Sequence, residues 1–142
     1  MSFLLDTNVV SEWTKPRPAP AVISWLANVD EDRVFISVIT LGELRHGIER
    51  LPQGRRRQRL DEWLRHDVRS RFEGRVVPID ESVAEAWGAI VARRDAMGRP
   101  IAAMDAFMAA TAETRGFTLV TRNAADFRAS VTAVFDPWTE SP

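Results

Sequence analysis

Phe3-Leu4-Leu5-Asp6-Thr7-Asn8 decides how this chain is read. A short apolar run ends in an acid, and two small polar residues come next. The pattern predicts a buried strand that delivers the Asp6 carboxylate to its C-terminal end. In open α/β sheets, that end is where ligands bind. Taken alone, Asp6 could equally be an Asp-Thr turn acid that caps the next helix, so the choice rests on the remainder of the chain.

Outward from this stretch, strand-like and helix-like segments alternate. Residues 7–14 read as a first helix with Thr7 as its N-cap, and prolines 16, 18 and 20 then break the chain. A helix carrying Val22, Ile23, Trp25 and Leu26 leads to a second strand over 33–38, and a helix runs from Thr40 to Leu51. Leu60, Trp63, Leu64, Val68 and Phe72 mark one apolar face of a helix over 55–72. A third strand covers 76–79. Asp80 caps a helix ending at Gly98, and Pro100 opens another that ends at Gly116. Strands at 117–120 and 131–135 complete the pattern. This order predicts a single α/β domain with a mostly parallel sheet.

Composition narrows the chemistry. The chain has 142 residues, 45% hydrophobic and 27% charged, as expected of one soluble globular domain. No apolar run approaches the ~18–20 residues that span a bilayer, and no basic region precedes the first apolar stretch, so no membrane span or signal peptide is expected. There are no cysteines, which excludes disulfides, thiolate metal sites and cysteine nucleophiles, and fits a cytoplasmic protein. With only His46 and His66, a histidine-rich zinc site is not expected either. Net charge is −1, so bulk charge does not advertise nucleic-acid binding.

Three further acids occupy unusual settings. Glu43 lies in Thr40-Leu41-Gly42-Glu43, the spacing of a capping box, yet one turn into a helix that follows a strand. Asp105 interrupts Ile101-Ala102-Ala103-Met104-Asp105-Ala106-Phe107-Met108-Ala109-Ala110, a run apolar on every side of a helix. A lone buried carboxylate costs several kcal/mol unless it is neutralised or paired. Asp126 comes after the fourth strand, in a loop where turn acids are common. All four acids lie at, or within reach of, one end of the sheet. Two carboxylates ~4 Å apart repel by ~4 kcal/mol even at an effective dielectric of about 20, so such a set calls for a cation. An all-oxygen donor set selects Mg²⁺ or Mn²⁺, with Thr7, Asn8, Thr121 and Asn123 as residues that could orient ligands or water.

At these residues the chain resembles PIN-domain proteins, specifically the ribonuclease toxins of VapBC-type toxin–antitoxin pairs. The matching pieces are residues 3–8, Ile39-Thr40-Leu41-Gly42-Glu43-Leu44, residues 100–106 and Leu119-Val120-Thr121-Arg122-Asn123-Ala124-Ala125-Asp126-Phe127. The resemblance implies a three-layer α/β/α sandwich and a Mg²⁺-dependent endoribonuclease, Mn²⁺ substituting, with Asp6, Glu43, Asp105 and Asp126 as its metal-binding and catalytic acids. Asn123 competes with Asp126 for the fourth place. The resemblance further implies an RNA substrate, neutralisation by a small antitoxin, a homodimer within a toxin–antitoxin assembly, and DNA contact only through the antitoxin. One departure is Asp136, before Pro137-Trp138, where relatives often carry Asn.

Two rival readings stand beside this one. A haloacid-dehalogenase-like phosphatase also opens on a strand ending in Asp, but needs a second Asp two residues on, where this chain has Asn8. A non-catalytic module acting mainly as antitoxin partner and co-repressor is the other. The run Arg55-Arg56-Arg57-Gln58-Arg59 reads as the solvated start of a helix or as a grip on RNA phosphates. Trp63 and Trp87 are expected in packing, Trp13 and Trp25 near the antitoxin, and both histidines at the surface.

Overall fold

The computed structural model describes residues 1–141. Five short strands, β1 (Phe3–Leu5), β2 (Val34–Ser37), β3 (Val76–Val77), β4 (Thr118–Val120) and β5 (Val134–Phe135), form one sheet in the order β3-β2-β1-β4-β5. Every pairing is parallel. The helices are α1 (Thr7–Ser11), α2 (Pro20–Asn28), α3 (Val38–Glu49), α4 (Arg55–Glu62), α5 (Arg69–Arg71), α6 (Glu81–Ala96), α7 (Ala103–Arg115) and α8 (Ala124–Phe127).

Strand alternation builds the two faces. Leu5, Val34, Ile36 and Val120 face one layer, where they meet Val9, Val22, Leu44 and Val68. Leu4, Val77 and Leu119 face the other, against Val83, Ile90, Met108 and Ala109. The result is the expected α/β/α sandwich. Strands buried on both faces explain why their sequences read as continuous apolar runs.

Several boundaries depart from the sequence reading, four of them as follows. Asp6, not Thr7, is the N-cap of α1: it is extended, and its carboxylate accepts from the Thr7 N–H. The helix predicted from Pro100 starts only at Ala103, because Ala102 is still extended and its carbonyl accepts the first helical bond, from Ala106 N–H. The fifth strand shrinks to Val134–Phe135, since Ser130 and Val131 turn back to bond the Phe127 carbonyl. The helix predicted over 55–72 passes through a π-helical segment, Trp63–Val68. Leu60, Leu64, Val68 and Phe72 recur every fourth residue, which outruns the 3.6-residue turn of an α-helix. Widening the turn absorbs that drift and keeps Leu64, Val68 and Phe72 buried together.

Candidate active site

The register of the central strands brings the first acid to its partners. Phe3 pairs with Thr118 and Leu5 with Val120, so Asp6 and Thr121 leave the sheet side by side. The Asp6 N–H continues the ladder by donating to the Val120 carbonyl at 2.9 Å. The Asp6 carboxylate is 6% exposed and accepts three hydrogen bonds. Thr121 Oγ1 donates to Oδ2 at 2.8 Å, Thr7 N–H to Oδ1 at 2.8 Å, and Asn8 Nδ2 to Oδ2 at a longer 3.4 Å. Burial nonetheless pushes the carboxyl from its ordinary 3.8 up to about 6; the Thr121 and Thr7 bonds pull against that, and the charges of Asp105 and Glu43 add to it. The Asp6 carboxylate is therefore the cap of α1 and, with the same atoms, a buried acid facing other acids.

Glu43 reaches this site from β2's side. Ser37 caps α3 through Oγ, accepting from Ile39 N–H at 3.0 Å, so Thr40 lies inside the helix and the capping-box alternative falls away. Glu43 Oε1 instead accepts from Thr7 Oγ1 at 2.6 Å, and Thr7 Oγ1 also meets Thr40 Oγ1 at 3.0 Å. Asp105 sits in the first turn of α7, half-buried rather than enclosed, because Ala103 and Met104 beside it are exposed. Its carboxyl is also raised, by burial first and then by the charges of Glu43 and Asp126. Asp126 is exposed on α8 and shares a small open pocket with Asp105, Asn123, Ile101 and Arg94. Asn123 N–H donates to Thr121 Oγ1 at 3.1 Å, which locks the loop after β4 onto the Asp6 network.

The four acids thus occupy one edge and repel one another, and none forms a salt bridge among the described residues. Also among the described residues, no three Asp, Glu or His side chains are drawn close enough to hold an ion at once. A donor set of this kind fits a hard cation that keeps most of its water and takes only one or two carboxylates directly, as Mg²⁺ does. Asp136, the extra acid before Pro137, is spent on capping: its carboxylate accepts from Trp138 N–H and Thr139 Oγ1.

Sequence reasoning missed Arg94. It is 4% exposed, and its guanidinium donates to the Arg99 carbonyl (2.7 Å), the Asp126 carbonyl (3.3 Å) and Ser130 Oγ (3.2 Å). It ties the loop before α7 to α8, the two segments that carry Asp105 and Asp126. The signal was present: Val83, Trp87, Ile90 and Arg94 fall at one helical spacing, so Arg94 lies on the buried stripe of α6.

A parallel α/β/α sandwich with unpaired carboxylates gathered at the ends of β1 and β4 and on α3 and α7 defines a class of acid-edged domains. The chain belongs to the PIN-domain family, whose model matches residues 3–129, and within that family to the VapC-type toxins. It is 40% identical over 135 residues to toxin FitB of Neisseria gonorrhoeae, covering 95% of this chain and 97% of that one. It is 34% identical to the VapC ribonuclease Y4jK of Sinorhizobium fredii, covering 95% and 96%. Among solved structures, FitAB bound to an IR36 DNA fragment superposes with a TM-score of 0.92 at 38% identity, covering 99% of this chain and 98% of that one. No helix among the described residues is long and apolar enough to cross a membrane.

Proposed function

We propose that this chain is the toxin of a toxin–antitoxin pair and a metal-dependent endoribonuclease that hydrolyses RNA phosphodiester bonds. The observation that carries the reading is Asp6: a carboxylate buried at a sheet edge, raised to about 6, and faced by further acids without a compensating cation among the described residues. A fold tolerates such a cost where a ligand repays it. The names of the relatives, a toxin and a VapC ribonuclease, support the toxin and RNA parts of the reading. The relative solved as FitAB on DNA supports a partner protein through which DNA is met.

In this reading Asp6 and Asp105 hold Mg²⁺, or Mn²⁺ in its place, with Glu43 and Asp126 completing the acidic set. When bound, that ion lowers the pKa of a water and offsets the charge of the reacting phosphate. The chain's own residues supply orientation. Thr121 Oγ1 and Thr7 N–H fix both oxygens of Asp6, and Thr7 Oγ1 fixes Glu43 against α1. Arg94 holds the backbones that carry Asp105 and Asp126. No serine–histidine or cysteine arrangement is needed, because water is the nucleophile. A small antitoxin neutralises the enzyme, and the toxin works as a homodimer within their assembly.

The test is incubation of the purified, antitoxin-free chain with cellular RNA in Mg²⁺, in EDTA, and as the Asp105→Asn variant. Cleavage in the first condition alone is expected. Equal cleavage in all three, or none in any, overturns the reading.

A further inference from the structure

An acidic edge repels the phosphates it is meant to cleave, so the edge needs a cation of its own. We propose that Arg122 is that group: a guanidinium, stacked on Trp138, that binds a phosphate of the RNA beside Asp6. This rests on the ribonuclease reading and names the residue that receives its substrate.

Arg122 lies between Thr121, which donates to Asp6, and Asn123, which donates to Thr121. Its own N–H reaches Asn8 Oδ1 at 3.4 Å, and Asn8 Nδ2 in turn reaches Asp6. Its backbone is thereby tied to the acid network on both sides. The side chain is exposed, and its guanidinium carbon stands 5.3 Å from the centre of the Trp138 ring. Trp138 is itself anchored, half-buried against the core, with its N–H on Asp136. This cation–π contact restrains the guanidinium, and its N–H groups have no partner among the described residues and are free for a phosphate.

Two other arginines near this edge are already engaged. Arg94 is buried on backbone carbonyls, and Arg128 is paired with Glu140 at 2.6 Å. Arg122 makes no salt bridge and no side-chain hydrogen bond among the described residues. Arg122 directly follows Thr121, the hydroxyl donor to Asp6, and this adjacency favours RNA, the strand that Asp6 would meet, over a protein carboxylate as its ligand.

The experiment measures binding of a fluorescent mixed-sequence single-stranded RNA in EDTA, across a range of salt, together with kcat and KM for its cleavage in Mg²⁺. Wild type, Arg122→Gln, Arg122→Lys and, as control, Arg57→Gln are compared. Losing one charge-assisted contact should raise Kd and KM about tenfold for Arg122→Gln, more on KM than on kcat. The log–log salt slope should fall by about 0.7, the share of one single-strand phosphate contact. Arg122→Lys should recover the slope but only part of the affinity, and Arg57→Gln should match wild type. Wild-type Kd and slope in Arg122→Gln overturn the proposal, as does an equal loss in Arg57→Gln. Retained RNA affinity with lost affinity for the antitoxin assigns the fork to the protein partner and also overturns it. Absent cleavage by wild type overturns the ribonuclease reading, and the Kd comparison then decides Arg122 alone.

Discussion

The surface of α3 and α4 and the C-terminal edge of the sheet are both crowded with charge, yet they handle it in opposite ways. Around α4 part of the charge is paired: Arg45 with Asp61 at 2.7 Å and Glu49 at 3.4 Å, Arg57 with Glu49 at 2.5 Å, and Arg65 with Asp61 at 3.0 Å, while Arg55, Arg56 and Arg59 lie exposed to water. At the sheet edge four acids gather without an ion pair among the described residues, and hydroxyl and amide donors, not cations, hold Asp6 and Glu43. Charge density therefore does not separate scaffold from site here. Charge both buried and uncompensated does, as at Asp6, and it carries a cost in stability that the exposed arginines of α4 avoid.

The largest expected effect breaks the acidic edge itself. Asp6→Asn or Asp105→Asn should reduce RNA cleavage by more than the ~10–100-fold typical of losing an outer-shell partner of a metal site, measured at equal folded protein. The same Asp6→Asn change should raise the stability of the metal-free protein at pH 7 by up to about 3 kcal/mol, read from urea denaturation. That figure comes from a carboxyl raised from 3.8 to about 6, at ~1.4 kcal/mol per unit. The sign is set by the proton: the folded state binds it more tightly than the unfolded chain. The associated stability is complete below about pH 3.8 and is lost as pH rises through about 6. Metal-free wild type should thus be more stable at pH 5 than at pH 7 by roughly 1 kcal/mol, and Asp6→Asn should flatten that slope.

Smaller effects sharpen the contrast. Thr121→Val removes the shortest side-chain donor to Asp6 and should cost ~1–3 kcal/mol of stability while raising the Asp6 pKa further, detectable by carboxyl NMR titration. Arg45→Ala, in the compensated region, should change stability by no more than ~1 kcal/mol and leave cleavage within about twofold. An Arg45 variant as inactive as Asp105→Asn would erase the distinction between the regions.

The sheet and its acidic edge were legible because both rest on short-range patterns. Leu4-Leu5-Asp6 and Leu119-Val120-Thr121 are apolar runs with a polar stop, and parallel pairing aligns those stops automatically. Less legible was anything set by tertiary geometry. Thr40-x-x-Glu43 has the letters of a capping box, but the cap is Ser37, so Glu43 is free to meet Thr7. Asp105 looked enclosed by apolar neighbours, yet the residues before Ala103 never join the helix and its first turn lies open. The π-helical turn at Trp63–Val68 could have been read from the strict four-residue repeat, which no plain α-helix sustains. The basic run at 55–59 drew attention for its density, while Arg94, whose guanidinium bonds the Asp126 carbonyl, stands outside it.

β1 precedes the other four strands in the sequence and is central in the sheet, yet one of its two neighbours is β4. The bond from Thr121 to Asp6 spans 115 residues. A ribosome adding ~5–20 residues per second needs roughly 6–23 s to cover that gap. Throughout that time Asp6 lacks its donor, and Asp126 has not been made. A nascent chain therefore carries an incomplete acidic edge until residues 121–126 have been made.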